Sequence, residues 1–151
     1  MYVDPRGPRF VAAVTTVVLA VTLATGSGWL AAAQALVFGI GAAAGLKYAP
    51  YAVLFRRFVR PRLAPPTELE VEGPPRFAQA VGFGFATAAA AGYLTGPALL
   101  GVFATALALA AAFLNAVVGL CLGCQMQLRL NRLLGRPAVC RVPVSAATVR
   151  S

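Results

Sequence analysis

The chain has 151 residues, of which 60% are hydrophobic and 11% are charged, and its mean hydropathy is +0.79. A water-soluble domain of this length cannot bury so much apolar surface, so the composition excludes an ordinary soluble protein and favours a membrane protein. The net charge of +9 would suggest nucleic acid in a soluble protein. Because the basic residues form no platform of interleaved aromatic and basic side chains, we expect the arginines to meet anionic lipid headgroups and predict no nucleic-acid partner.

Four long apolar runs predict four transmembrane helices and an all-α fold. In chain order the runs cover residues 10–25, 29–46, 77–95 and 97–120, and none contains a charge. The connections after the first and third runs are short and uncharged. All 13 Lys and Arg residues lie before the first run, between the second and third, or after the fourth. By the positive-inside rule, the chain should cross the cell membrane four times with both termini in the cytoplasm.

The four runs form two similar hairpins, each followed by a short basic stretch that predicts an interfacial helix. Pro8-Arg9-Phe10 opens the first half and Pro75-Arg76-Phe77 opens the second, and each half closes on an Arg-Pro pair. The repetition favours an internal duplication over a chance likeness of alanine-rich segments. We predict one membrane domain over 1–137, with hairpin 1 at about 8–46, an interfacial helix at about 50–60, a linker at 61–75, hairpin 2 at about 76–128, and a cytoplasmic tail at 138–151.

Three carboxylates, Glu68, Glu70 and Glu72, are spaced by two in the proline-rich linker. The trio invites a metal or general-base interpretation. Without histidine or a further convergent ligand, a solvated acidic face in an extended segment is the favoured one.

Two polar side chains, Gln34 and Asn115, interrupt the predicted spans. Each should seek a hydrogen-bond partner inside the bundle, because lipid offers none. We favour a structural bond between helices over the lining of a permeation path, since no repeated polar stripe accompanies these residues.

The cysteines carry the chemistry of the chain. Cys121-Leu122-Gly123-Cys124 is predicted at the cytoplasmic end of the fourth span, and Cys140 follows in the tail. The chain has no histidine, which excludes histidine-assisted zinc or haem ligation and a histidine-activated nucleophile, and no cofactor is predicted. The pair could exchange disulfides, carry sulfur as a persulfide, or hold a soft metal such as Cu(I), with Cys140 as resolving thiol or third ligand. Inert packing is the alternative.

Local geometry constrains the Cys121 and Cys124 pair. On an unbroken helix the Cβ atoms of residues three apart lie about 5–6 Å from each other, whereas a disulfide needs about 3.8 Å. The pair therefore closes only where the backbone leaves ideal helix, as Gly119 and Gly123 would allow. The end of a span should raise the thiol pKa, opposite to a thioredoxin-type helix start, unless Arg129 and Arg132 come near.

An ordered series of motifs spans nearly the whole chain up to about residue 130. It comprises residues 4–10, the Leu-Phe-Arg segment at 54–61, residues 74–79, and residues 112–116 leading to Cys121 and Cys124. The series resembles the actinobacterial membrane proteins catalogued as domain-of-unknown-function family 4395. Members of that family are often encoded near thioredoxin-like proteins and thiosulfate sulfurtransferases. The resemblance implies thiol redox or sulfur handling at Cys121 and Cys124, and it does not reach the tail with Cys140.

Three functional hypotheses follow. The first is a membrane thiol protein whose cysteine pair exchanges electrons or sulfane sulfur with a cytoplasmic thioredoxin-like or sulfurtransferase partner. No predicted outer loop contains cysteine, so a quinone, a partner subunit or a reaction confined to the cytoplasm would have to complete this scheme. The second is a small scaffold or transporter subunit that acts through helix packing, including a homo-oligomer. The third is a soft-metal site formed by all three cysteines.

Overall fold

The computed structural model describes residues 2–135 and 141–143, and this part of the chain is mainly helical with one small antiparallel sheet. The helices are α1 (Arg6–Thr25), α2 (Gly28–Ala43), α3 (Pro50–Leu54), α4 (Gly73–Thr95), α5 (Ala98–Val117) and α6 (Leu122–Leu133), and the strands are β1 (Tyr2–Val3), β2 (Glu68–Val71) and β3 (Arg141–Pro143).

Each predicted apolar run forms a helix, and three of these helices, α1, α4 and α5, are long and apolar enough to cross a membrane. They contain 20, 23 and 20 residues. Helix α2 has 16 residues and is about 24 Å long, which is less than the roughly 30 Å of a hydrocarbon core. It ends before the apolar run does, because Gly45 adopts a left-handed conformation with φ +97°. These helices make the chain a multi-pass membrane protein.

The two hairpins pair crosswise. Helix α1 packs mainly on α5 and helix α2 mainly on α4, while α4 also packs on its own partner α5. Small side chains let these helices approach closely, and the buried cluster between them contains Ala31, Ala89, Ala90 and Ala104. Close backbone packing of this kind stabilises helix pairs in lipid, where burial of apolar surface gives no advantage.

A further helical segment follows each hairpin and returns to the helix that opened that hairpin. Helix α3 contacts α1 and continues into a wider π-helical turn (Phe55–Val59) and then a tighter 3₁₀ turn (Arg60–Arg62). Helix α6 contacts α4 in the second half. The ring of Phe55 lies 5.6 Å from that of Phe10, which fastens the first of these segments to the bundle. The segment predicted as an interfacial helix at about 50–60 thus forms three consecutive short helical segments.

The linker contains a strand and is not a solvated acidic face. Strand β2 lies between β1 and β3, with Glu70 opposite Val3 on one side and Arg141 on the other. Glu70 is only 7% exposed, and Glu72 accepts a hydrogen bond from the backbone N–H of Leu46 at 3.1 Å. The spacing by two is the side-chain period of a strand and places Glu68 and Glu70 on one face of β2, where Glu68 is exposed and Glu70 is buried. The predicted acidic face was wrong for Glu70 and Glu72.

Candidate functional site

Two equivalent arginines join the hairpins at the end of the bundle where α1 and α4 begin. Arg9 donates to the last carbonyls of α5, at 3.4 Å from the Ala116 oxygen and 3.3 Å from that of Val117. Arg76 does the same for α2, with bonds of 2.7 and 2.6 Å to the carbonyls of residues 42 and 43. A guanidinium satisfies the open carbonyls of a helix end and complements its dipole. The repeated Pro-Arg-Phe motif thus holds each hairpin to the other.

The cysteine motif starts a new helix. Helix α5 ends at Val117, and Gly119 turns the chain with φ +73°, a conformation that a Cβ would strain. Cys121 then adopts an extended conformation as N-cap of α6, and its sulfur accepts a hydrogen bond from the backbone N–H of Cys124 at 3.4 Å. The expected position at the C-terminal end of the fourth span was wrong, because hydropathy continues to residue 120 past the glycine that ends the helix.

The two thiols face each other and are unequally accessible. Cys121 is half-buried, while Cys124 is 5% exposed. The pKa of Cys121 is lowered, first by the hydrogen bond from the Cys124 side chain and further by the backbone N–H groups of Cys124 and Gly123, against desolvation. The sequence predicts the opposite direction for the end of a span. The pKa is lowered instead because Cys121 stands at the start of α6, where the Cys124 side chain and the backbone N–H groups of Cys124 and Gly123 donate to its sulfur.

A carboxylate from the sheet adds negative charge near the thiols. Glu70 opposes ionisation of Cys121 and thereby acts to raise its pKa. Because β2 carries this side chain toward α6, the sheet is part of the site. Sequence reasoning missed Glu70 as a site residue, and its only signal was the strand-like spacing of the glutamates.

Helix α6 lies against α4 without space between the backbones. A Cβ added to Gly123 would lie 2.5 Å from the Cβ of Ala78 and 2.6 Å from its Cα. Any larger residue at position 123 would therefore force the backbone to move, so only glycine fits there. This contact fixes the start of α6, and with it both sulfurs, against the bundle.

A cavity of about 310 Å³ extends from the cysteine motif into the bundle between α1, α2, α4, α5 and α6. Cys121 lines it at one end, and Phe85 and Leu107 line it farther along the spans. Along α4 the lining from Pro75 to Phe85 corresponds to about 15 Å, half the thickness of a hydrocarbon core. Two other lining residues, Thr15 and Gln79, each have a buried side-chain oxygen with no hydrogen-bond partner among the described residues. Sequence reasoning missed both.

Residues 3–132 match the family model described as a domain of unknown function, DUF4395. The chain belongs to this family. The match covers most of the chain and includes Cys121 and Cys124, which confirms the resemblance drawn from the ordered motifs. No curated protein and no solved structure matches the chain.

The remaining predicted site residues of this DUF4395 chain are Gln34, Asn115 and Cys140. Gln34 is 1% exposed, and its Oε1 accepts a hydrogen bond from the Tyr51 hydroxyl of α3 at 2.9 Å. Asn115 is half-buried and lines the cavity near Cys121. Cys140 lies outside the described residues and outside the family match. Over residues 2–135 and 141–143 the structure brings together no three side chains suited to bind a metal ion.

Proposed function

We propose that this protein crosses the plasma membrane four times with both termini in the cytoplasm. The support is the distribution of charge: the arginines that cap α2 and α5 and those of α6 belong to the same end of the bundle as the start of α1. At the opposite end, the described residues form only the uncharged turns at 26–27 and 96–97. Helix α2 would span with local thinning of the bilayer, at a modest cost per ångström of mismatch.

At that cytoplasmic end, the cysteine pair would carry out thiol–disulfide exchange with a thioredoxin-like protein. The observation that carries this proposal is the position of Cys121 as N-cap of α6 with its sulfur beside the Cys124 side chain. A lowered thiol pKa raises the share of thiolate, which is the attacking species. Partial exposure makes Cys121 the attacking sulfur, and burial makes Cys124 the resolving one.

Thiol–disulfide exchange between the cysteine pair and its partner needs no cofactor. The Cys121 thiolate attacks one sulfur of the partner's disulfide, forms a mixed disulfide and releases the other partner sulfur as a thiolate. Cys124 then loses its proton and attacks the Cys121 sulfur. The partner leaves as a dithiol, and a Cys121–Cys124 disulfide remains. Transfer of sulfane sulfur from a sulfurtransferase would start from the same Cys121 thiolate and leave a persulfide.

Trapping the mixed disulfide tests the proposal. The Cys124→Ser variant, which keeps the attacking thiol but cannot resolve, should accumulate a disulfide adduct with an added oxidised thioredoxin. The matched Cys121→Ser variant should form none. Mass spectrometry after treatment with thiosulfate and a sulfurtransferase would separate the two chemistries, because a relay adds one sulfur atom to Cys121. Equal adducts in both variants, or none in either, would contradict thiol exchange and favour a non-enzymatic scaffold.

A further inference from the structure

We propose that a second cavity, at the end of the bundle where α1 begins, is a binding site for one anionic phospholipid. It lies between the start of α1, helix α3 with its two turns, and strand β2, and its volume is about 270 Å³. That is more than the ~150 Å³ of a cavity known to hold benzene, so a phosphate, its glycerol and the first chain carbons fit. The cysteine motif does not line this cavity, so the site is separate from the proposed thiol exchange.

Three basic side chains line the cavity from separate parts of the first half. Lys47 follows α2, Arg56 belongs to the π-helical turn, and Arg60 belongs to the 3₁₀ turn. The guanidinium of Arg56 donates a hydrogen bond to the backbone carbonyl of Lys47, which joins two of these parts across the cavity. Guanidinium and ammonium groups are the side chains that bind phosphate oxygens most strongly.

The acidic residues of the cavity do not neutralise these three basic side chains. Two carboxylates, Asp4 and Glu72, line it. Asp4 accepts a hydrogen bond from the backbone N–H of Arg6 at 3.0 Å, and Glu72 accepts one from that of Leu46 at 3.1 Å. Among the described residues, neither carboxylate forms an ion pair with the three basic side chains. The three basic side chains are therefore available to an anion that enters the cavity.

The inner wall of the cavity favours a ligand with an apolar part. Val11, Leu46 and Phe55 line it and are buried, and the ring of Phe55 packs on that of Phe10. A soluble sugar phosphate would place hydroxyl groups against these side chains without hydrogen-bond partners. The chain carbons of a phospholipid suit the same wall, while its phosphate meets the basic side chains.

The segment that carries the arginines gives the cavity access to the bilayer. Leu54 and Phe58 are exposed on the same segment as Arg56 and Arg60. Exposed apolar and basic side chains on one segment are typical of a position between hydrocarbon and headgroups. A basic pocket in that position is suited to the phosphorylated headgroups of the cytoplasmic leaflet.

Two neighbouring arginines distinguish a binding site from the general attraction of a basic surface to anionic lipid. Arg57 and Arg62 are exposed and belong to the same two turns, but neither lines the cavity. General attraction would depend on every arginine of the segment alike. A binding site depends on Lys47, Arg56 and Arg60 alone, so the chain provides its own matched control.

Native mass spectrometry of the whole protein in detergent, titrated with dioleoyl phosphatidylglycerol, tests the proposal. We expect one retained lipid per protein, bound about tenfold more weakly by Arg60→Gln, which removes one charge-assisted contact with the phosphate. Lys47→Gln should weaken binding in the same way, and Arg62→Gln should leave it unchanged. Dioleoyl phosphatidylcholine, which has the same chains but no net charge, should bind more weakly than phosphatidylglycerol.

Thermal unfolding separates a loss of binding from a loss of folding. Without lipid, the Arg60→Gln and Arg62→Gln variants should melt alike, and phosphatidylglycerol should raise the melting temperature of Arg62→Gln more than that of Arg60→Gln. Equal weakening of lipid binding by the two substitutions would overturn the proposal, as would equal affinity for phosphatidylcholine. Displacement of the lipid by an equal concentration of glycerol 3-phosphate would also overturn it, because the cavity would then be a site for a soluble phosphate.

Discussion

The two halves of the molecule repeat one plan but start their final helices differently. After hairpin 1, the chain turns at Gly45 and begins α3 with Ala49 as N-cap and Pro50 behind it, so no side chain caps the helix. After hairpin 2, it turns at Gly119 and begins α6 with Cys121, whose sulfur caps the helix. Each half thus begins a new helix directly after its hairpin, and only the second half has a reactive side chain at that helix start.

The largest expected effect on stability comes from substitution of Gly123, which lies in the close contact between α6 and α4. Gly123→Ala should destabilise the protein by about 1–3 kcal/mol, because the new Cβ meets Ala78. Gly84→Ala is the matched control, since a Cβ on Gly84 meets nothing within 4 Å, and it should be neutral or stabilising. Thermal unfolding in detergent would measure both. Equal melting temperatures for the two variants would mean that α6 is not seated against α4 in this way.

Substitution of Arg9 and of Arg76 should affect the stability of the protein alike but the reactivity of Cys121 differently. Arg9→Gln and Arg76→Gln should each cost about 1 kcal/mol, because each removes the cap of one helix end. Only Arg9→Gln should also change the rate of Cys121 alkylation, since Arg9 holds the end of α5 that leads to the cysteines. Thermal unfolding and iodoacetamide labelling would measure the two effects. A similar change of rate in both variants would show that the halves do not act separately.

The pH dependence of alkylation tests the N-cap directly. The thiolate is the reactive form, so the lowered pKa of Cys121 should place the midpoint of its alkylation profile below the ordinary thiol value of 9.0. Cys124→Ala removes the side chain that lowers this pKa most and should move the midpoint to higher pH. Mass spectrometry of the peptide with Cys121 would follow the reaction. A midpoint that stays in place would exclude the thiol–thiol hydrogen bond as its cause.

The smallest expected effect is that of a Glu70 substitution on the pKa of Cys121. Its negative charge acts to raise the pKa of Cys121, so Glu70→Gln should shift the alkylation midpoint to lower pH. Glu68→Gln, on the same strand but exposed, is the control and should change little. A shift to higher pH in the Glu70 variant would mean that the carboxylate acts on the thiol by another route.

Much of the helical arrangement could be predicted from the sequence, because an apolar run long enough to cross a membrane is compatible with few structures other than a helix. The Pro-Arg-Phe repeat also pointed to two similar halves. What hydropathy cannot show is where a left-handed glycine ends a helix. Gly45 shortens α2, and Gly119 converts the expected end of a span into the start of α6. For Cys121 that difference places the sulfur beside the Cys124 side chain and the first N–H groups of α6, which lower its pKa where the end of a span was expected to raise it.

The partners of the site residues depend on contacts distant in sequence. Strand β2 forms because it pairs with β1 and β3, which lie about 70 residues away on either side, and no local pattern identifies them. In the sequence, Thr15 looks like any threonine of an apolar helix, and only the structure shows that its buried hydroxyl has no hydrogen-bond partner among the described residues. Gln79 is likewise one polar residue in an apolar run.

The most direct test of the central claim is the labelling of oriented membrane vesicles with a membrane-impermeant maleimide. If α6 begins at the cytoplasmic surface with Cys121 as its reactive cap, inside-out vesicles should label at Cys121, well before Cys124, and right-side-out vesicles at neither. Labelling of Cys121 from the outer side, or equal rates at the two cysteines, would contradict the account.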